Sequence, residues 1–451
     1  MKCMKHILIL LLVLFIAVAM EAQENYNPKR TLKEVKAQLK AEKYQQAEDI
    51  LNKAMNEHKE AKSKPEFHYL RLQALRGLAT AENRNMFLNT RPDTAKYFTY
   101  INRIYEYGFS CDSLDRLPNE KGKVRPSYTS SIVNMLASYR NNIKSGGKYY
   151  YKKNKYDDAY LFFDLYLSTL HHPLITAAKD YKVDDDTLSI ARLAVFSAYN
   201  AAKHPNVMKY LPMAMKDTVD YALLCQIGST SLMTMKDTIQ ALDYLHKGWE
   251  ANPLHEFFYV HLIDYHVEHE EYSKAIDIID KQLEVEPQKR LLWFVKGKCE
   301  QCIDSVDLAI ECYQKAIECQ PDDALSYSSI GGIYIDKARE VYDISNFQPG
   351  TPAFTRVKKQ QSQIYEKAKS ALENARKYAP NDEALWHDGL MEAYFKLNLG
   401  KELKELETLA ATPASDSKSE PSNPNEKAES SNSNEKAEPA NTKRNERRNT
   451  R

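Results

Sequence analysis

Apolar residues along the chain recur three and four positions apart, in runs of about 10–15 residues separated by short polar breaks, the spacing of amphipathic helices. Between Tyr221 and Pro321 the pattern repeats at one interval. Proline stands at Pro253, Pro287 and Pro321, and alanine at Ala241, Ala275 and Ala309, 34 residues apart each time. A period of that length filled with helical pattern predicts helical hairpins, and one hairpin cannot bury its apolar face alone, so the hairpins stack. Each proline stops a second helix, because it lacks an amide hydrogen and its ring clashes with a continuing helix.

The unit that begins at Arg290 is the fullest, with Trp293, Gly297, Ala309, Tyr313, Ala316 and Pro321 at its places 4, 8, 20, 24, 27 and 32. That set resembles the tetratricopeptide repeat (TPR) family, in the form of an exported bacterial TPR protein. The resemblance implies an all-α, TPR-type α-solenoid of stacked helical hairpins. It also implies that small residues at places 8 and 20 let the two helices of a unit approach. Aromatic residues at places 4 and 24 are expected to fill the space between neighbouring units.

Taken in order, Leu32 to Leu39 and Tyr44 to Met55 predict a first hairpin, with Ala47, Leu51 and Ala54 at places 20, 24 and 27. Helices follow at Phe67 to Ala81 and Thr94 to Tyr107. Gly108 to Pro126, with Cys111, Pro118 and Gly122, reads as a loop. A helix from Tyr128 to about Ile143 precedes a repeat-like segment, Gly147 to Leu170, with Tyr150, Ala159 and Phe163 at places 11, 20 and 24. Leu188 to Ala202 and Val207 to Met215 form a shorter pair. Residues 23–220 are thus degenerate TPR-like hairpins, and 221–411 the tandem array with its caps. Past Pro321 the first helix carries Tyr327, Gly331 and Tyr334, but the matching Ala368, Leu372, Ala375 and Pro380 arrive about 25 residues late. That insertion, about residues 338–364, turns at Gln348 to Pro352 and predicts a hairpin with lengthened, protruding arms. Leu385 to Leu397 and Glu402 to Leu409 cap the array. Residues 412–451 hold no aliphatic side chain larger than alanine and cannot offset their ordering entropy by burial, so they read as a disordered tail.

Residues 1–22 read as a signal peptide. Lys2, Lys5 and His6 precede a 13-residue apolar run, Ile7 to Ala19, with cleavage after Ala19 or Ala22. A membrane span needs roughly 20 apolar residues. No later segment is apolar enough, so no transmembrane segment is expected after cleavage. Cys3 lies ahead of the run and cannot be a lipoprotein cysteine. The expected location is the periplasm or outer envelope of a Gram-negative bacterium. A net charge of +1 gives no field for nucleic acid. Lys443, Arg444, Arg447, Arg448 and Arg451 form a basic carboxyl end suited to weak contact with an anionic envelope surface.

Candidate chemistry is sparse. Cys299, Cys302, Cys312 and Cys319 cannot share a zinc ion, because Cys312 and Cys319 lie seven residues apart on one helix, roughly 10.5 Å along its axis. Cys299 and Cys302 are a candidate disulfide. His255, His261, His266 and His269 lack a zincin spacing. Gly146, Gly147 and Lys148 resemble a phosphate loop, except that Tyr149 replaces the magnesium-binding hydroxyl. No catalytic residues, cofactor or metal are assigned, and the chain reads as a non-enzyme. Thr94, Ser113, Thr187, Thr218, Thr238 and Ser305, each after an aspartate, are candidate O-glycosylation acceptors. Their motif resembles the one used on exported proteins of a phylum of Gram-negative anaerobes, although aspartate and threonine are also favoured as helix N-caps.

The resemblance implies a partner-binding groove lined mainly by the first helix of each unit. Leu223, Phe257, Val260, Asp264, Leu291, Phe294 and Lys298 fall on it. The Lys and Asn pattern that clamps a carboxyl-terminal carboxylate is missing. The expectation is a protein-interaction scaffold that holds a partner segment by apolar burial. The alternative is a glycan-binding accessory protein of the outer membrane.

Overall fold

A computed structural model describes residues 26–119, 121–340 and 348–410. The expected signal peptide, the expected disordered tail and residues 341–347 of the insertion lie outside the described residues. All regular structure among the described residues is helical. The chain forms two compact units divided between Cys319 and Gln320.

In the first unit the helices are α1 (Pro28–Lys40), α2 (Tyr44–Glu57), α3 (Lys59–Ser63), α4 (Pro65–Leu88), α5 (Thr94–Asp115), α6 (Thr129–Lys152), α7 (Tyr156–Ser168), α8 (Pro173–Thr176), α9 (Thr187–Asn200) and α10 (His204–Ala214). The tandem hairpins follow as α11 (Tyr221–Thr234) with α12 (Thr238–Ala251), α13 (Glu256–Glu268) with α14 (Tyr272–Val285), and α15 (Arg290–Cys302) with α16 (Val306–Cys319). Ala47, Ala159, Ala241, Ala275 and Ala309, the alanines at place 20, are wholly buried. A larger side chain there would push the two helices of a unit apart.

Three sequence expectations change. The loop expected from Gly108 does not begin there, because α5 continues to Asp115 and Cys111 is buried inside it. Gly108 serves close packing instead: a Cβ on it would stand 3.0 Å from Leu136 Cδ2 of α6. The break expected between Ile143 and Gly147 is likewise absent. Helix α6 runs through both glycines to Lys152, and side chains at Gly146 and Gly147 would collide with the rings of Phe162 and Phe163. Finally, the residue at place 24 packs within its own unit: a Cβ on Gly297 would lie 2.6 Å from Tyr313 Cε1. Trp293 does reach between units, its indole N–H donating to the Pro287 carbonyl over 2.9 Å.

The second unit holds α17 (Ala324–Glu340), α18 (Pro352–Tyr378), a 3-10 turn (Glu383–Leu385), α19 (His387–Lys396) and α20 (Gly400–Ala410). Gly331 faces Leu372 as Gly297 faces Tyr313, so the inserted residues leave the place-8 to place-24 contact intact. Thr351 caps α18 through the Phe354 amide. Gln361 Nε2 donates to the Ala338 carbonyl over 2.9 Å and ties the arms together.

Candidate partner-binding face

The face is built by α11, α13 and α15. In each, the third residue of the unit turns into the core: Leu224 and Phe258 are wholly buried and Leu292 nearly so. Successive helical residues are about 100° apart, so the second residue points elsewhere. It is nevertheless apolar each time. Leu223 is 45% exposed, Leu291 49%, and Phe257 half-buried. Val260 and Phe294, one turn on, are half-buried, and Asp264 and Lys298 stand exposed at the next turn.

The centre of the face is aromatic and its edges are charged. The Phe257 ring lies 4.2 Å from that of His261, whose Nδ1 pairs with the Phe257 carbonyl at 2.7 Å. Phe294 packs 5.6 Å from the Tyr313 ring, with the Lys298 ammonium 5.6 Å and the Arg290 guanidinium 5.8 Å from its centroid. These cations lie over the ring and border the apolar centre with positive charge on α15. Asp264 and Glu268 place negative charge on α13. Partial desolvation raises the Asp264 carboxyl above its usual range, Glu268 adds to the rise and His261 opposes it.

Behind the face a polar cluster joins two hairpins. Gln282 is wholly buried on α14, accepts the Trp249 indole N–H over 2.8 Å, and donates to the Pro253 carbonyl at 3.0 Å and Glu286 Oε2 at 2.8 Å. Tyr259 donates to the same oxygen at 3.1 Å, and Lys289 pairs with Glu256 and Glu286. Desolvation works against the Glu286 charge, but the hydrogen bonds from Gln282 and Tyr259 together with Lys289 hold its carboxyl below the usual range. Sequence pattern missed this cluster, because a lone Gln in an amphipathic helix looks like a solvent position.

Several solved structures are similar to stretches of the chain. The C-terminal part of a TPR repeat-containing protein from Cytophaga hutchinsonii is 15% identical, with a TM-score of 0.38, over 60% of this chain and 96% of that one. MamA from Desulfovibrio magneticus RS-1 is 13% identical, with a TM-score of 0.28, over 42% and 97%. The TPR domain of P58(IPK) is 14% identical, with a TM-score of 0.24, over 83% and 99%. No protein-family model and no curated protein matches the chain. The 34-residue interval, the buried alanines and the glycine at place 8 under place 24 are features of this chain itself. Its units are TPR-like helical hairpins.

Outside the TPR-like face the other candidates are scattered. Cys299 is buried, Cys302 exposed, and both thiols are free in this structure. His266 is buried against Glu271 at 2.7 Å, and His269 bonds the Tyr265 carbonyl. The three indole N–H groups are all engaged, Trp386 with the Ala379 carbonyl, so none is set out as a sugar-stacking platform with a free donor. Among the acceptor residues, Ser113, Thr218 and Thr238 are exposed, Thr94 and Ser305 half-buried, and Thr187 buried with its hydroxyl on the Asp184 carbonyl. Asp93 and Asp237 act as N-caps, accepting from Lys96 N and Gln240 N.

Proposed function

We propose that this protein is a non-enzymatic interaction scaffold of the bacterial cell envelope, whose TPR-like first-helix face receives a segment of a partner protein. The observation that carries the reading is the apolar residue left open at the second place of three consecutive units, Leu223, Phe257 and Leu291. Stability alone does not require it, since the neighbouring Leu224, Phe258 and Leu292 already fill the core. The chemistry favours an amphipathic or extended segment with apolar anchors, bordered by a carboxylate that meets the exposed Lys298. Burying the exposed half of each open leucine contributes about 0.75–1.5 kcal/mol, so losing two should weaken binding at least about tenfold.

The test is chemical crosslinking in native envelopes followed by capture of wild type and of Leu223→Ser/Leu291→Ser. Both side chains are about half exposed, so helix content should be unchanged by circular dichroism. A crosslinked protein recovered with wild type and absent with the variant is the expected result. Recovery of the same set with both sinks the proposal.

A further inference from the structure

The tip of the α4/α5 hairpin carries a feature that the partner-binding face does not use. Phe87 is 89% exposed and Leu88 52%, side by side at the end of α4, where Asn89 closes the helix in the left-handed conformation. Exposed Arg84 precedes them and exposed Arg91 follows, and neither has an ion-pair partner among the described residues. On α4, Gln73, Arg76, Thr80, Arg84 and Phe87 share one face by helical spacing. The first four of these also line a cleft of about 790 Å³ beside Tyr44 and Asn85, in which Glu42 is the one carboxylate. The two other acids near the tip are already engaged: Glu82 accepts the Asp93 amide, and Asp93 caps α5.

We propose that this tip is a membrane-contacting wedge for an anionic phospholipid surface. Phe87 and Leu88 enter the boundary of headgroup and acyl chain, while Arg84 and Arg91 take the lipid phosphates. A protein occupant fits the geometry less well. Two side chains on one exposed turn fall far short of the about 800 Å² that a standard interface takes from each partner. A bilayer accepts a small wedge, and apolar insertion combined with cationic attraction is how interfacial segments bind. The proposal is independent of the groove reading, because it uses no residue of α11, α13 or α15.

The test places a reporter at the tip. Full-length Phe87→Trp is mixed with vesicles of phosphatidylcholine and phosphatidylglycerol whose acyl chains are brominated, and its fluorescence is compared with that of wild type, which shares the other three tryptophans. The expected result is extra quenching in Phe87→Trp, at least tenfold weaker when Arg84→Gln/Arg91→Gln is added, and weakened by salt. It should be absent with phosphatidylcholine alone. Sedimentation with the same vesicles reports whether the chain binds by its termini instead. Vesicle-bound chain with an unquenched tip, or no binding to anionic vesicles at all, overturns the proposal. Equal quenching with and without the arginines overturns the phosphate role.

Discussion

Adjacent glycines at 331 and 332 separate the two things glycine does in a helix. A side chain at Gly331 would strike the buried Leu372 at its branching carbon, whereas Gly332 has open space around it. Gly331→Ala should therefore destabilise the second unit by about 1–3 kcal/mol, while Gly332→Ala should stabilise it by about 0.5–1 kcal/mol by lowering the entropy of the unfolded chain. Thermal melts of the two variants check this, and a loss at both sites would show that backbone freedom, not space, sets the requirement. The thiols make a second residue-scale case. Burial pushes Cys299 and Cys312 up to about 11, so at neutral pH neither presents much thiolate. Alkylation of the native, reduced protein should mark Cys302 well before Cys299 or Cys312, read by peptide mass. If native envelope material takes label at Cys302 only after reduction, the candidate disulfide with Cys299 forms in the cell.

At the scale of elements, charge fixes one junction that apolar pattern does not show. Glu48 on α2 is nearly buried and faces two arginines, Arg71 on α4 at 2.6 Å and Arg103 on α5. Arg71 also donates to Asn52 Oδ1 at 2.7 Å, and its guanidinium lies 4.4 Å from the centre of the Tyr107 ring. Glu48→Gln removes the charge while keeping the shape and leaves Arg71 buried without its counter-ion, at a cost of about 3–5 kcal/mol. Denaturant unfolding should register that loss, and a variant within 1 kcal/mol of wild type, on the order of an exposed pair, would mean that water reaches the site. Such links join residues 23 and 55 positions apart, intervals that no period marks, so the sequence does not announce them. What repeats is legible. The alanines at place 20 and the apolar residues at place 2, Leu223, Phe257 and Leu291, are readable because the same residue class returns every 34 residues. Gly108, Gly146 and Gly147 were misread as breaks because a local signal for turns is also the signal for close helix contact, and only the facing Leu136, Phe162 and Phe163 decide between them.

For the whole molecule, cooperativity follows from where the apolar clusters lie. In a stack of hairpins each unit contacts its neighbours, and stability is a sum of local terms, so cooperativity extends only as far as the interfaces are strong. The cluster around Leu390, Tyr365, Leu372 and Trp386 draws all its residues, from Tyr327 to Leu406, from the second unit, and the tandem hairpins of the first unit pack around Leu245, Phe258, Leu262 and Ile279. Leu390 is wholly buried, and Leu390→Ala should cost about 2–5 kcal/mol within its own cluster. Hydrogen exchange should then show faster exchange across α17 to α20, while α11 to α16 keep their wild-type protection. Loss of protection spreading through both units would mean that the division at Cys319 does not limit cooperativity. In that case the stability of the candidate face would depend on the second unit as well as on its own hairpins.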